Sequence, residues 1–160
     1  MSGASVLQEL VRQVRTDTLR ILESVPDAAL LWAPPGTSNT ILWHAGHALW
    51  LQDLMCVALL AGESHLPEGW AERFGQGSRP SQITQWPSRA EVVQLLGRQL
   101  VEIGRLLENA TEEELAGYPT SLSHHRNVLG WIVHGLHDEA KHCGEMYLLW
   151  KMWSRSRKLA

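Results

Sequence analysis

The sequence is poor in residue types whose abundance defines particular classes of protein. Only two of its 160 residues are cysteines, Cys56 and Cys143. Such low cysteine content argues against a disulfide-stabilised scaffold and fits a reducing compartment. Basic residues are also not in excess, since 14 Lys and Arg stand against 17 Asp and Glu. The only basic cluster is the short tail at residues 155–158, so nucleic-acid binding is disfavoured.

Long apolar runs are absent as well. No stretch reaches the roughly 20 apolar residues that a membrane span needs, and the N-terminus lacks the apolar core of a signal peptide. We therefore expect a cytoplasmic protein with no membrane contact. Hydrophobic residues still make up 44% of the chain, which predicts a single domain with its own core over residues 1–160.

The aromatic residues are unusual in kind. There are one phenylalanine and two tyrosines but eight tryptophans. Filling the core is the favoured interpretation for any individual tryptophan. The alternative is that some of these large flat rings line a ligand pocket.

The first half of the chain has the apolar spacing of helices. Apolar residues three and four apart predict a first helix over residues 6–22. Residues 40–60 are apolar on nearly all sides, which predicts a buried second helix, with Ser38 and Asn39 as candidates for its N-cap. The face predicted to be apolar in the first helix consists of Leu7, Leu10, Val11, Val14, Thr18 and Leu22.

The second half adds two more helices after a long connection. Residues 62–87 are rich in Gly, Pro, Ser and Gln and show no periodicity, which is typical of a lid, a crossover or part of a site. A capping box at Ser88 and Glu91 begins a third helix, Thr111 caps a short turn, and residues 128–153 form the last helix. The pattern predicts an all-α four-helix bundle with a long crossover between the second and third helices.

Histidines are concentrated on the two helices predicted to be most buried. A buried polar group needs a partner, and a hydrogen bond within the core is the ordinary explanation for a lone histidine. Several histidines facing each other across a bundle instead favour a metal site. Five of the eight histidines belong to this group: His44, His47, His134, His137 and His142.

Helix geometry limits which of these residues can share one ion. Residues four apart lie on one face, so Asp138 can share an ion with either His142 or His134. His134 and His142 are about 12 Å apart along the axis, which is too far for one ion. The second helix must contribute a ligand and offers His44 or His47. The spacing favours a mononuclear site made by one of these two histidines with Asp138 and His142.

Two segments give the chain a resemblance to a known family. "NTILWHAGHALWLQD" at residues 39–53 and "HDEAKHCGEMYLL" at residues 137–149 resemble the motifs of the DinB-like superfamily. The Pro-rich entry "LLWAPPGTSNT" and the loop containing "GWAERFGQG" fit as well. The resemblance implies a four-helix bundle of the DinB/YfiT-like type. The superfamily is described as metal-dependent hydrolases and includes transferases that use low-molecular-weight thiols.

The resemblance also implies metal ligands. His47 takes the place of the ligand on the second helix, and His142 that of the final ligand. The family commonly has a third histidine four residues earlier, where this chain has Asp138. The implied set of two histidines and one carboxylate suits Zn²⁺, Ni²⁺, Fe²⁺ or Mn²⁺. As an alternative, Asp138 orients His134 or His142 without binding the ion.

Five further residues are expected around the metal. His44 either hydrogen-bonds within the core or lines the pocket, and His134 is expected in the pocket wall. Glu145 is expected to hold the helix end, with a role as catalytic base as the less favoured alternative. Trp43 and Trp50 are expected to wall a pocket for a small, partly apolar substrate together with the crossover.

The expected function follows from this resemblance. It is hydrolysis assisted by a divalent metal ion, or transfer of a low-molecular-weight thiol to a small-molecule electrophile, by a homodimer. One alternative is a non-catalytic protein that binds a metal or a small molecule in a stress response. The other is a structural dimeric bundle without metal, whose polar core is satisfied internally.

Overall fold

The structure is a computed structural model that describes residues 3–158, and no β-strand occurs in that range. This confirms the predicted all-α class. No helix among these residues is long and apolar enough to cross a membrane. The α-helices in chain order are α1 (Gly3–Ser24), α2 (Asp27–Leu30), α3 (Ile41–Gln52), α4 (Ala58–Ala61), α5 (Trp70–Phe74), α6 (Arg89–Asn109), α7 (Glu112–Ala116) and α8 (Val128–Ser156).

The four long elements form a closed bundle. Helix α1 packs against α6 and α8, and α3 packs against the same two helices from the other side. The crossover predicted between the second and third helices runs from Gly62 to Ser88, and it contains α5 and a 3₁₀ turn at Pro80–Gln82. Helix α5 packs against α3, so this part of the crossover lies against the bundle.

Helix α3 continues into α4 through a π-helical segment, Asp53–Val57. Every residue of α3 except Trp50 is buried, as its apolar composition predicts. The π segment, in which the N–H of Ala58 donates to the carbonyl of Asp53, was not indicated by the sequence. Gly62 ends α4 in the left-handed conformation that favours glycine.

The helix caps agree only in part with the sequence. Ser88 with Glu91 forms the predicted capping box, and Thr111 caps α7. The predicted N-caps Ser38 and Asn39 are wrong, because the side chain of Thr40 accepts the N–H of Trp43 at 3.2 Å. Thr40 immediately precedes α3, so its hydroxyl reaches the unpaired N–H groups of the first turn.

The predicted face of α1 is wrong at Leu10, which is 42% exposed, and it missed a buried arginine. Arg15 is 1% exposed and makes two bonds to the Glu139 carboxylate, of 2.8 and 3.0 Å. It also donates to Gln99 Oε1 and to the carbonyl of Leu96. We call Arg15, Thr18, Gln99 and Glu139 the central polar network.

The central polar network separates two apolar clusters. One cluster contains Leu22, Leu49 and Met146, and the other contains Val11 and Ile132. Since each side chain of the network has a hydrogen-bond partner on another helix, it links α1, α6 and α8 at one level. Gln99 extends the link to α3 by donating to the carbonyl of Leu49 at 3.0 Å.

Candidate metal centre

The candidate site lies in the seam between α3 and α8. These helices run in opposite directions, and His44 near the start of α3 faces His142 at the middle of α8. His44 is 4% exposed, whereas the Glu145 side chain is 54% exposed and lies at the solvent side of the seam. The cluster is therefore buried at one end and open at the other.

Three donor atoms converge there. His44 Nδ1 is 2.9 Å from His142 Nδ1. Glu145 Oε2 lies 2.9 Å from His142 Nδ1 and 3.2 Å from His44 Nδ1. Donor atoms at right angles around a metal bound at about 2.1 Å are about 3.0 Å apart, and at tetrahedral angles about 3.4 Å. The three separations fit one coordination sphere.

His47 is held by the crossover. Its Nδ1 donates to the carbonyl of Phe74 at 2.6 Å, so this nitrogen carries the proton and Nε2 keeps a lone pair. A ring nitrogen bonded to a backbone carbonyl is the usual support of a histidine that binds metal through its other nitrogen. The His47 ring lies edge-on to that of His142, with centroids 4.6 Å apart.

Close packing at Gly46 sets this contact. A Cβ atom at Gly46 would lie 2.4 Å from the Phe74 ring, so only glycine allows α5 to approach α3 this closely. The indole N–H of Trp70 adds a bond to the carbonyl of Gly46 at 3.0 Å. The sequence signal for this arrangement was the glycine beside His47, but nothing in the sequence paired it with Phe74.

Tryptophan rings surround the histidines. Trp43 stacks on His47 at 4.7 Å and presents an edge to His44 and His142. Trp50 lies 5.2 Å from the His47 ring on the other side. The Trp43 indole N–H donates to the Ser78 hydroxyl, which ties the ring to the crossover. These contacts limit the access of water to the seam.

Burial keeps the α3 histidines neutral. Loss of hydration lowers the pKa of His44 to about 3, and the nearby His142 and His47 act in the same direction. The pKa of His47 is also lowered by burial, while the Phe74 carbonyl and the charge of Asp138 oppose the shift. Neutral imidazole is the form that binds metal ions.

Asp138 has other partners. Its carboxylate accepts from Lys141 Nζ at 3.1 Å and lies 3.3 Å from His134 Nε2 and 3.9 Å from His137 Nδ1. His134, His137 and Asp138 thus form a second group of convergent donor atoms, one turn before His142. The predicted ligand set of His47, Asp138 and His142 remains a prediction, whereas the donor atoms that the structure groups with that of His142 are those of His44 and Glu145.

Fold and site together define a four-helix bundle with a histidine and carboxylate cluster between two helices. Comparison with known proteins then identifies the family: the family model of the DinB superfamily matches residues 10–146. This match covers most of the chain, including the histidines of α3 and α8. The protein belongs to the DinB superfamily.

Two further comparisons complete this assignment. No curated protein matches the chain. Among solved structures, one described as the conserved protein of locus from Enterococcus faecalis aligns with a TM-score of 0.64 at 18% identity. The alignment covers 93% of this chain and 95% of the other. At this identity the similarity shows a shared fold and carries nothing about activity.

Proposed function

We propose that the protein binds a divalent metal ion between α3 and α8 and acts there on a small molecule. The observation that carries the proposal is the convergence of His44 Nδ1, His142 Nδ1 and Glu145 Oε2 within 3.2 Å of one another. Membership of the DinB superfamily supports it, since the resemblance implies metal-dependent chemistry at these helices.

Two ligand sets satisfy the chemistry, and both use His142. The first is the set implied by the family, with His47 and Asp138. The second is the set with His44 and Glu145, whose donor atoms already lie together. Each combines two imidazoles with one carboxylate, which suits Zn²⁺, Ni²⁺, Fe²⁺ or Mn²⁺.

The reaction we propose is hydrolysis or transfer of a low-molecular-weight thiol. A bound divalent ion would lower the pKa of water or of a thiol and so supply a nucleophile at neutral pH. Trp43 and Trp50 would exclude bulk water from the seam. The carboxylate that does not bind the ion, Asp138 or Glu145, would be available to accept a proton.

The crossover offers space for the substrate. A cavity of about 710 Å³ lies within it, lined by residues that include Ser78 and Arg79. The histidines do not line this cavity. Trp43, which stacks on His47, connects the two places, because its indole N–H donates to Ser78 in the cavity wall. A substrate seated in this cavity would reach the seam past the Trp43 ring.

Metal content of untagged protein tests the site and separates the ligand sets. His142→Ala should lose at least 90% of the bound metal under either set. Loss in His47→Ala and Asp138→Asn would support the family set, and loss in His44→Ala and Glu145→Gln the other. His124→Ala, at an exposed position outside both groups of donor atoms, is the matched control and should retain its metal. Full metal content in His142→Ala would contradict the proposal.

Turnover tests the enzymatic part. Metal-loaded protein is incubated with monobromobimane and, in separate reactions, bacillithiol, mycothiol and glutathione. A rate that needs both the metal and one thiol would support transfer, whereas ester or amide hydrolysis without a thiol would support hydrolysis. Bound metal with no turnover would favour a non-catalytic binding protein, and no metal at all would favour the structural dimeric bundle.

A further inference from the structure

A second cavity lies beside the π-helical segment that follows α3. Its volume is about 390 Å³, and it is bounded by the π segment, α6 and the start of the crossover. Leu66 and Leu95 supply apolar walls, and the polar groups come from Asp53, His65, Arg98, Gln99 and Glu102. Volumes of this order hold small organic ligands.

Asp53 is the unusual residue of this cavity. It is 3% exposed, and one carboxylate oxygen accepts the backbone N–H of His65 at 3.0 Å. Within residues 3–158, no Lys, Arg or His side-chain nitrogen lies within ion-pair distance of this carboxylate. A buried carboxylate without a cation is costly, so the charge of Asp53 calls for a positive partner.

The neighbouring charged groups do not supply that partner. Glu102 is itself paired, with Arg105 at 2.9 Å, and lies 3.7 Å from His65 Nδ1. Arg98 is exposed and lies at the cavity without an ion pair to Asp53 or Glu102. The cavity therefore combines one uncompensated buried carboxylate with a second carboxylate nearer the solvent.

The backbone holds Asp53 in place. It is the first residue of the π-helical segment, which also contributes Val57 to the cavity wall. Single π turns within α-helices occur frequently at functional sites. Asp53 follows His47 by six residues, about 9 Å along the axis and about 240° around it, so the cavity is distinct from the candidate metal centre.

We propose that this cavity binds a small organic cation, a primary amine whose ammonium group pairs with Asp53. The ammonium would donate to the Asp53 oxygen that His65 does not occupy, and the apolar part of the ligand would pack against Leu66 and Leu95. A metal ion fits less well because hard cations need six or more oxygen ligands, whereas the wall is partly apolar.

The test uses benzylamine and its uncharged analogue benzyl alcohol as probes. Titration of ¹⁵N-labelled protein is followed at the backbone amide of His65, which is hydrogen-bonded to Asp53. We expect saturable shifts with benzylamine and at least tenfold weaker binding of benzyl alcohol. Equal affinity for the two probes, or no shift up to 10 mM benzylamine, would overturn the proposal. Saturable shifts with Mg²⁺ at lower concentration, or selective broadening of the His65 amide resonance by Mn²⁺, would replace the amine by a metal ion.

Variants locate the interaction. Asp53→Asn keeps an oxygen that can accept the His65 N–H but removes the charge, so benzylamine should bind at least tenfold more weakly. Glu102→Gln, whose carboxylate is already paired, should weaken binding less than threefold. Unchanged affinity in Asp53→Asn would refute the assignment. If Asp53→Asn does not fold, the affinities of benzylamine and benzyl alcohol for the unchanged protein still test the proposal. His142→Ala should bind benzylamine normally, which keeps this result independent of the metal proposal.

Discussion

Two polar clusters lie inside the same bundle and differ in how completely their groups are paired. In the central polar network, Arg15 makes four hydrogen bonds, and Glu139 accepts a further one from Thr18 at 3.0 Å. Charged and polar groups there are nine-tenths buried or more. Complete pairing of this kind is what allows charges to remain in a core.

In the histidine cluster, by contrast, the polar groups are incompletely paired. His44, His47 and His142 share few hydrogen bonds, and burial keeps His44 neutral by lowering its pKa to about 3. The cluster also opens to solvent at Glu145. A complete network stabilises the fold, whereas an incompletely paired cluster keeps lone pairs available for a ligand. The comparison indicates a stabilising role for the first cluster and favours the second as the place of the proposed metal site.

The largest effect is expected from breaking the central polar network. Arg15→Met leaves the Glu139 carboxylate buried without its cation, so the free energy of unfolding should fall by about 3–5 kcal/mol. Urea denaturation followed by circular dichroism measures this change. The double variant Arg15→Met/Glu139→Leu removes both charges and should regain most of the loss. A single variant within 1 kcal/mol of the unchanged protein would show that the network does not stabilise the fold.

An intermediate effect is expected at the histidine cluster. Zn²⁺ at about one hundred times its Kd should raise the free energy of unfolding by about 2.7 kcal/mol in the unchanged protein. His142→Ala should lose this gain, because both ligand sets use its imidazole. Denaturation curves with Zn²⁺ and with a chelator provide the comparison, and His124→Ala, an exposed histidine outside both groups of donor atoms, should keep the gain. A full gain in His142→Ala would place the metal elsewhere.

The smallest effect concerns Asp138. Lys141→Gln removes an exposed contact of 3.1 Å, which should change the free energy of unfolding by less than about 0.5 kcal/mol. Because the Asp138 carboxylate is then released from Lys141, the affinity for Zn²⁺ should rise about two- to threefold if Asp138 is a ligand. Competition with a fluorescent chelator measures the affinity for Zn²⁺. Unchanged affinity would favour the set that uses Glu145.

Much of the fold was predictable because helix signals are local. Apolar periodicity located the four long helices to within a few residues, and the capping box at Ser88 and Glu91 marked the start of α6. Local signals failed at Thr40, where three neighbouring polar residues were all plausible caps. They also failed at Asp53–Val57, since a π segment has the composition of the α-helix around it.

The site was predictable only as a set of candidates. Helix spacing predicted a ligand set of Asp138 and His142 with either His44 or His47, but it did not indicate that the Glu145 carboxylate lies beside His142. The partnership of Arg15 with Glu139 was missed because the arginine occupies a regular position in an apolar stripe. The role of Arg15 depends on Glu139, which lies 124 positions away in the sequence.

The sequence by itself determined the helices and the histidines each presents, because hydrophobic periodicity and capping depend on residues within one or two turns. Only the tertiary structure decided that His44 meets His142, 98 positions away, and that Phe74 holds the ring of His47. It also decided that Asp53, which has no ion-pair partner among residues 3–158, faces a cavity. These contacts depend on how segments distant in the chain pack, and on which rotamers fit between them.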